Sequence, residues 1–260
     1  MQNIFNDAPE FINSDNRKLR AEFTTSFQSI YYRLESQLPV DNIQNKTILD
    51  LGSCIGAAGY YSLKNGAKFY TGVEIQDYYV NTSRSLLSKY FQNTQFNIIQ
   101  QDILKFLDDC IAANIKFDFV LAAGILYEFL DPISFLQKVC KVSTDTVVID
   151  TKWIPPGRQR IGVVALIPNE AMVKGTDAET YSVVHGAGAR MCQNAIDIVM
   201  STESFKREGD VIKPKPILDA DDPYNCDHSH HDGWTGPKKI IVKYKKNDSR
   251  LKTLNEELVG

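Results

Sequence analysis

The chain has no apolar run long enough to span a bilayer, and Met1 is followed by Gln2-Asn3-Ile4-Phe5-Asn6-Asp7 rather than by a basic leader. A soluble cytoplasmic protein is therefore expected. Cysteine is sparse: Cys54, Cys110, Cys140, Cys192 and Cys226 are odd in number and show no close pair spacing, so neither a disulfide framework nor a zinc ribbon is indicated. A reducing compartment fits this usage. No charge of one sign dominates either. The net charge of -3 and the pI near 5.8 give no overall electrostatic drive towards nucleic acid. Lys243-Tyr244-Lys245-Lys246 is a local basic patch, and it reads as a guarded sheet edge. Internal repeats and low-complexity tracts are also lacking. What is left is a globular composition, 43% hydrophobic and 23% charged over 260 residues, enough for one α/β domain with an elaboration.

Strand and helix patterns alternate through the first part of the chain. Asp50-Leu51-Gly52-Ser53-Cys54-Ile55-Gly56 follows the apolar run Thr47–Leu49 and leads into Ala57-Ala58-Gly59-Tyr60-Tyr61, which places an acidic, glycine-bearing turn between a strand and a helix. Glycines let backbone approach a ligand closely, and Asp50 puts a carboxylate where a cationic amine could be held. A second strand, Lys68–Ile75, carries Glu74 about twenty residues after the turn, where a dinucleotide fold places its ribose-binding acid. Gln95–Gln100 reads as a third strand leading to Gln101-Asp102-Ile103, Phe117–Gly124 as a fourth and Thr146–Thr151 as a fifth. Helices are expected over 57–65, 77–91, 103–113 and 132–142, with Pro132 suited to a first turn. Such alternation implies a parallel sheet covered on both faces.

The flanks are less regular. After a polar start, Asn16–Leu38 sets Leu19, Phe23, Phe27, Ile30, Tyr31 and Leu34 at helical spacing and stops before Pro39, predicting an amphipathic helix that lids or flanks the sheet. Lys152–Gly188 reads as an insertion, with a Pro155-Pro156-Gly157 breaker and an apolar run over 161–167. Helical periodicity returns over Ala189–Lys206. Val211–Leu218 suits an edge or broken penultimate strand because of Pro214 and Pro216, Lys239–Tyr244 a final strand, and Asn247–Gly260 a polar tail.

Taken together, Asp50/Gly52/Gly56, Glu74, Asp102 and the Phe117–Gly124 run resemble the successive motifs of class I S-adenosylmethionine-dependent methyltransferases, over about Thr47 to Thr151. The resemblance implies an α/β fold with a doubly wound, mostly parallel seven-stranded sheet ending in an antiparallel strand. An N-terminal helix and an insertion after the fifth strand would be added to it. It implies one domain: a helical extension over 1–46, a cofactor-binding core over 47–151, a substrate-side insertion and loop over 152–237, and a last strand and tail over 238–260. The family often has glycine where this chain has Cys54. A nicotinamide-binding domain is disfavoured, since it would want a third glycine at Cys54 or Ala57 and would leave Asp102 without a role.

By this resemblance the cofactor is S-adenosylmethionine. Asp50 and Gly52 would face its methionine end, with Gly56 in the same turn; Glu74 would accept from the ribose hydroxyls, and Asp102 with Ile103 would meet the adenine. Ile75 and Ile103 would cover the purine faces, and Ala123 would join the cofactor residues from the fourth strand. The structural alternatives are a helix cap for Asp102 and a solvated turn acid for Glu74.

The acceptor side is read from three segments. Ile125–Pro132 resembles the family segment that carries substrate-facing aromatics or histidines. Tyr127 is a candidate wall and Glu128 a candidate base or cation partner, against a core tyrosine and a surface glutamate. No Asn-Pro-Pro-Tyr or Asp-Pro-Pro-Tyr sequence is present, which argues against a base-flipping amino methylase. His228, His230 and His231, in the long Asp219–Pro237 connection, are candidates for acceptor contact or proton removal. A divalent metal or a solvent-exposed loop are the other readings, and without strict ligand spacing no metal is assigned. His185, just before the expected helix, is a further acceptor-side candidate or a capping residue. Lys152, Trp153, Arg158 and Arg160 would make an anionic substrate pocket or a solvated loop. The expected function is methyl transfer to a small-molecule acceptor. An RNA-modifying transferase and a non-catalytic cofactor-binding protein of the same fold are the alternatives. Nucleic acid is disfavoured as a partner by the acidic balance, and no membrane partner is expected.

Overall fold

In the computed structural model, residues 4–13, 33–154, 164–168, 187–212 and 239–247 are described. Five short apolar runs, Thr47–Leu51 (β1), Phe69–Glu74 (β2), Phe96–Gln100 (β3), Phe117–Ala123 (β4) and Ser143–Ile154 (β5), pair in parallel in the order β3-β2-β1-β4-β5. The middle strands are buried on both faces, so they read as continuous apolar runs rather than as an alternation. Ile48, Phe119, Leu121 and Val148 face one cluster with Leu38, Tyr60 and Tyr61. Leu49, Val120, Val147 and Ile149 face the other, with Phe135, Leu136 and Val139.

The crossovers are the helices Ala57–Lys64 (α1), Asp77–Tyr90 (α2), Ile103–Ala112 (α3) and Pro132–Val142 (α4). In α4, Asp131 caps the first turn by accepting from the Ser134 N–H, and Pro132 sits at the helix start, where its missing donor is not needed. Its buried face, Phe135, Leu136 and Val139, closes one side of the core.

Past Thr151, β5 runs on as Trp153 and Ile154, which meet the added hairpin of Val164–Pro168 (β6) and Ala187–Cys192 (β7). After helix Gln193–Thr202 (α5) and strand Phe205–Arg207 (β8), Lys239–Lys246 (β9) returns antiparallel to β5 and pairs with β8. Seven strands thus form the expected doubly wound sheet, β3-β2-β1-β4-β5-β9-β8, with β9 reversed. The β6–β7 hairpin extends it beyond the end of β5.

Several boundaries differ from the sequence reading. The helix expected over Ala189–Lys206 is α5 alone: Ala187–Cys192 instead finds strand partners in β5 and β6, and tertiary pairing overrides the helical spacing. Ser204, at φ 64, then turns the chain out of α5. β8 is the partner of the final strand β9; of the strand expected over Val211–Leu218, Ile212 bridges Ile241 and 213–218 lie outside the described residues. The N-terminal start is not simply polar. Phe5, Ala8 and Phe11 are buried, with the Phe5 and Phe11 rings 5.5 and 4.9 Å from that of Tyr60. Of the helix expected over Asn16–Leu38, residues 33–37 are helical, and 14–32 lie outside the described residues.

Among the described residues no helix is long and apolar enough to cross a membrane. The four described cysteines are free thiols, three of them buried and Cys54 half-buried.

Candidate functional site

The strand order reverses between β1 and β4, so the connections leaving these two neighbours diverge and open a crevice at their carboxyl ends. The turn after β1 forms one wall. Gly52 (φ 78), Cys54 (φ 50) and Gly56 (φ 82) are all left-handed, and the Gly52 and Ser53 N–H groups donate to the Val73 carbonyl at 2.9 and 3.0 Å. A Cβ at Gly52 would lie 2.8 Å from Cγ2 of Ile125, because this turn touches the one after β4. At Gly56 it would meet Ser83 Oγ at 2.4 Å. Cys54 occupies a conformation that costs a non-glycine residue about 1 kcal/mol, which gives a physical reason for glycine at this place in the resembling family.

Glu74, at the end of β2 and 8% exposed, is not a solvated turn acid. Its Oε2 accepts from the Cys54 N–H at 3.0 Å, while Oε1 accepts from the Ile75 and Gln76 N–H groups at 2.9 and 3.0 Å. The carboxylate thereby locks the glycine turn to β2. Asp50 lies beneath the same turn, 4% exposed, with the Tyr70 hydroxyl donating to Oδ2 at 2.7 Å. Burial pushes its carboxyl up to about 7; the Tyr70 bond opposes this and nearby Glu74 adds to it.

Ile75 is 51% exposed beside this acid, an apolar side chain at the crevice rim. Ile103 is half-buried at the start of α3. Asp102 caps that helix, its Oδ1 accepting from the Lys105 N–H at 3.0 Å. The cap alternative raised from the sequence is therefore realised, on one carboxylate oxygen. Asp50, Gly52, Gly56, Glu74, Ile75, Asp102 and Ile103 thus lie at or just after the carboxyl ends of β1, β2 and β3, on the crevice end of the sheet. Ala123, half-buried on β4, pairs in register with Asp150 of β5.

Asp150 escaped the sequence reading. It is fully buried at the carboxyl end of the core part of β5, and its Oδ2 accepts from Arg33 Nε at 2.6 Å and Gln37 Nε2 at 2.5 Å. The second oxygen, Oδ1, is buried with no hydrogen-bond partner among the described residues. The signal was present: one acid within Val147-Val148-Ile149-Asp150-Thr151 calls for a buried partner, and Arg33 and Gln37 are four apart on a helical segment. Ile125, which fills the space over Gly52, was likewise not singled out.

Tyr127 and Glu128 lie half-buried in the 3-10 turn Leu126–Glu128, directly after the crevice. A Cβ at Gly124 (φ 74) would lie 3.7 Å from both Tyr127 Oη and Arg33 Nη2, so both side chains reach this turn. His185, His228, His230, His231, Arg158 and Arg160 lie outside the described residues, as do the side chains of Lys152 and Trp153. The residues flanking the three-histidine segment do have a place. Ile212 bridges Ile241, whose β5 partner is Asp150, and Lys239 pairs with Lys152, so the connection leaves and returns at the crevice edge of the sheet.

Residues 43–153 match the family model described as a methyltransferase domain. The match spans β1 to β5 with their crossover helices, the part of the chain that builds the crevice. Solved structures agree at the level of fold. An S-adenosylmethionine-dependent methyltransferase from Mesorhizobium loti is 14% identical, with a TM-score of 0.56 over 84% of this chain and 98% of that one. Magnesium protoporphyrin IX methyltransferase from Synechocystis PCC 6803, solved with bound S-adenosylmethionine, is 10% identical, with a TM-score of 0.54 over 95% and 98%. The N-terminal domain of EvdMO1, solved with S-adenosylhomocysteine and D-fucose, is 13% identical, with a TM-score of 0.53 over 86% and 84%. No curated protein matches this chain in sequence.

Proposed function

We propose that this methyltransferase transfers the methyl group of S-adenosylmethionine to an oxygen, nitrogen or carbon nucleophile of a small molecule. The observation that carries the reading is a cover over the end of β5. The N-terminal helical residues are tied by Arg33 and Gln37 to Asp150, covering the end of β5 next to the crevice. A covered site favours a compact acceptor over a polymer, and the net charge of -3 adds no attraction for RNA.

When bound, the cofactor supplies an electrophilic methyl on a sulfonium. The chain's own part is positioning. Glu74 and the left-handed turn hold the nucleoside and methionine ends, Ile75 and Ile103 cover apolar surface, and Tyr127 walls the space after β4. Holding a nucleophile in line supplies much of the rate, and a base is needed only where the acceptor must lose a proton. His185, His228, His230, His231 and Glu128 are assigned to that acceptor side.

Calorimetry with S-adenosylmethionine and S-adenosylhomocysteine, followed by S-adenosylhomocysteine release over a panel of amines, phenols and carboxylates, tests the reading. Folded protein that binds neither nucleoside would sink it. Salt-sensitive tRNA retention with no small-molecule turnover would replace the acceptor class.

A further inference from the structure

We propose that Asp150 binds the acceptor, its Oδ1 taking a hydrogen bond from an O–H or N–H group of the small molecule while Arg33 and Gln37 hold Oδ2. This rests on the small-molecule reading above and names the chemistry its substrate must present: at least one hydrogen-bond donor on or next to the group that is methylated.

The hydrogen bonding of Asp150 is lopsided. A carboxylate can accept about four hydrogen bonds, yet Oδ2 receives both described donors and Oδ1 none, in a side chain shut off from solvent. An orphaned buried acceptor costs about 1–3 kcal/mol. A purely structural arginine–carboxylate pair avoids that cost by engaging both oxygens with the guanidinium fork. Here Arg33 meets the carboxylate through Nε on a single oxygen.

Position supplies the second argument. Asp150 pairs with Ala123, and its carbonyl accepts the Gly124 N–H at 2.7 Å, so it stands at the turn that Tyr127 and Arg33 both reach. Asp50 pairs with Leu121, two residues before Ala123 on the same β4 strand, so the two acids point to one face of the sheet on either side of β4. With Asp50 below the cofactor turn, Asp150 falls on the acceptor's side. Arg33, 35% exposed, reaches from solvent to the buried carboxylate, and the acceptor's donor group enters along it. Asp150 then orients the nucleophile through the bond it accepts.

The test uses the full chain saturated with S-adenosylhomocysteine and calorimetry against matched probes: benzylamine, phenol and benzyl alcohol, each beside its fully methylated, donor-free counterpart. The expected result is at least tenfold tighter binding of a donor-bearing probe than of its counterpart, falling below threefold in Asp150→Asn. Equal binding within every pair in the wild type, which needs no variant to fold, overturns the inference. So does a preference that Asp150→Asn leaves intact. S-adenosylhomocysteine binding with all probes silent and tRNA retained would instead remove the small-molecule reading, and this inference with it.

Discussion

The Tyr70 hydroxyl donates to Asp50 Oδ2 at 2.7 Å, and both side chains are closed off from solvent beneath the glycine turn after β1. The pair joins adjacent strands, since Asp50 is on β1 and Tyr70 on β2. Tyr70 also fills the space next to Gly59, where an added Cβ would lie 2.6 Å from its ring. One tyrosine therefore packs α1 onto the sheet and satisfies the acid at the end of β1.

Asp50 should make the fold less stable as pH rises. Its folded carboxyl, pushed up to about 7, binds a proton that the unfolded chain releases near the ordinary value of about 3.9. Stability from this group is full below about pH 4 and is lost as pH rises towards 7, by roughly 4 kcal/mol at most. Urea unfolding between pH 4 and 8 should show that slope, and Asp50→Asn should flatten it. Cofactor binding, which brings a cation towards Asp50, should release a proton near pH 6.5, visible as a buffer-dependent binding enthalpy.

Gly56→Ala should cost about 2 kcal/mol or more, because a left-handed site and a contact with Ser83 Oγ combine. Ser83→Ala removes the atom at 2.4 Å. The double variant should recover part of the loss while the backbone strain remains. Additive effects in denaturant titrations would disprove the contact's contribution.

Glu74→Gln keeps the shape but loses the charge that accepts three backbone N–H groups. Charge-assisted bonds contribute about 1.5–3 kcal/mol each. S-adenosylmethionine affinity should fall at least tenfold, with a smaller loss of stability as the turn loosens. An unchanged calorimetric Kd would remove Glu74 from the cofactor site.

Single alanine replacements of His185, His228, His230 and His231 should separate turnover from cofactor affinity. At least one of the three in the 228–231 segment is expected to lower kcat tenfold or more with S-adenosylmethionine binding unchanged. Full activity in all three would end their acceptor-side assignment.

Local sequence determined the half of the sheet that carries the glycine turn. Glycines at left-handed positions, acids at strand ends and uninterrupted apolar strands are short-range signals, and β1 to β4 with α1 to α4 fell close to where their residues placed them. The acid at 102 was legible as a cap for the same reason, since its partner is three residues away. Tertiary structure decided what depends on distant partners. Ala187–Cys192 became a strand because β5 and β6 offered it hydrogen bonds, and Phe5 and Phe11 became core because Tyr60 lay beneath them. Asp150 meets Arg33 across 117 residues of sequence, and only the folded sheet brings that pair to the crevice. Burial raises the Asp50 carboxyl for a related reason: the chain alone specifies an acid at a strand end, and the packing around it removes the water that would keep it ionised.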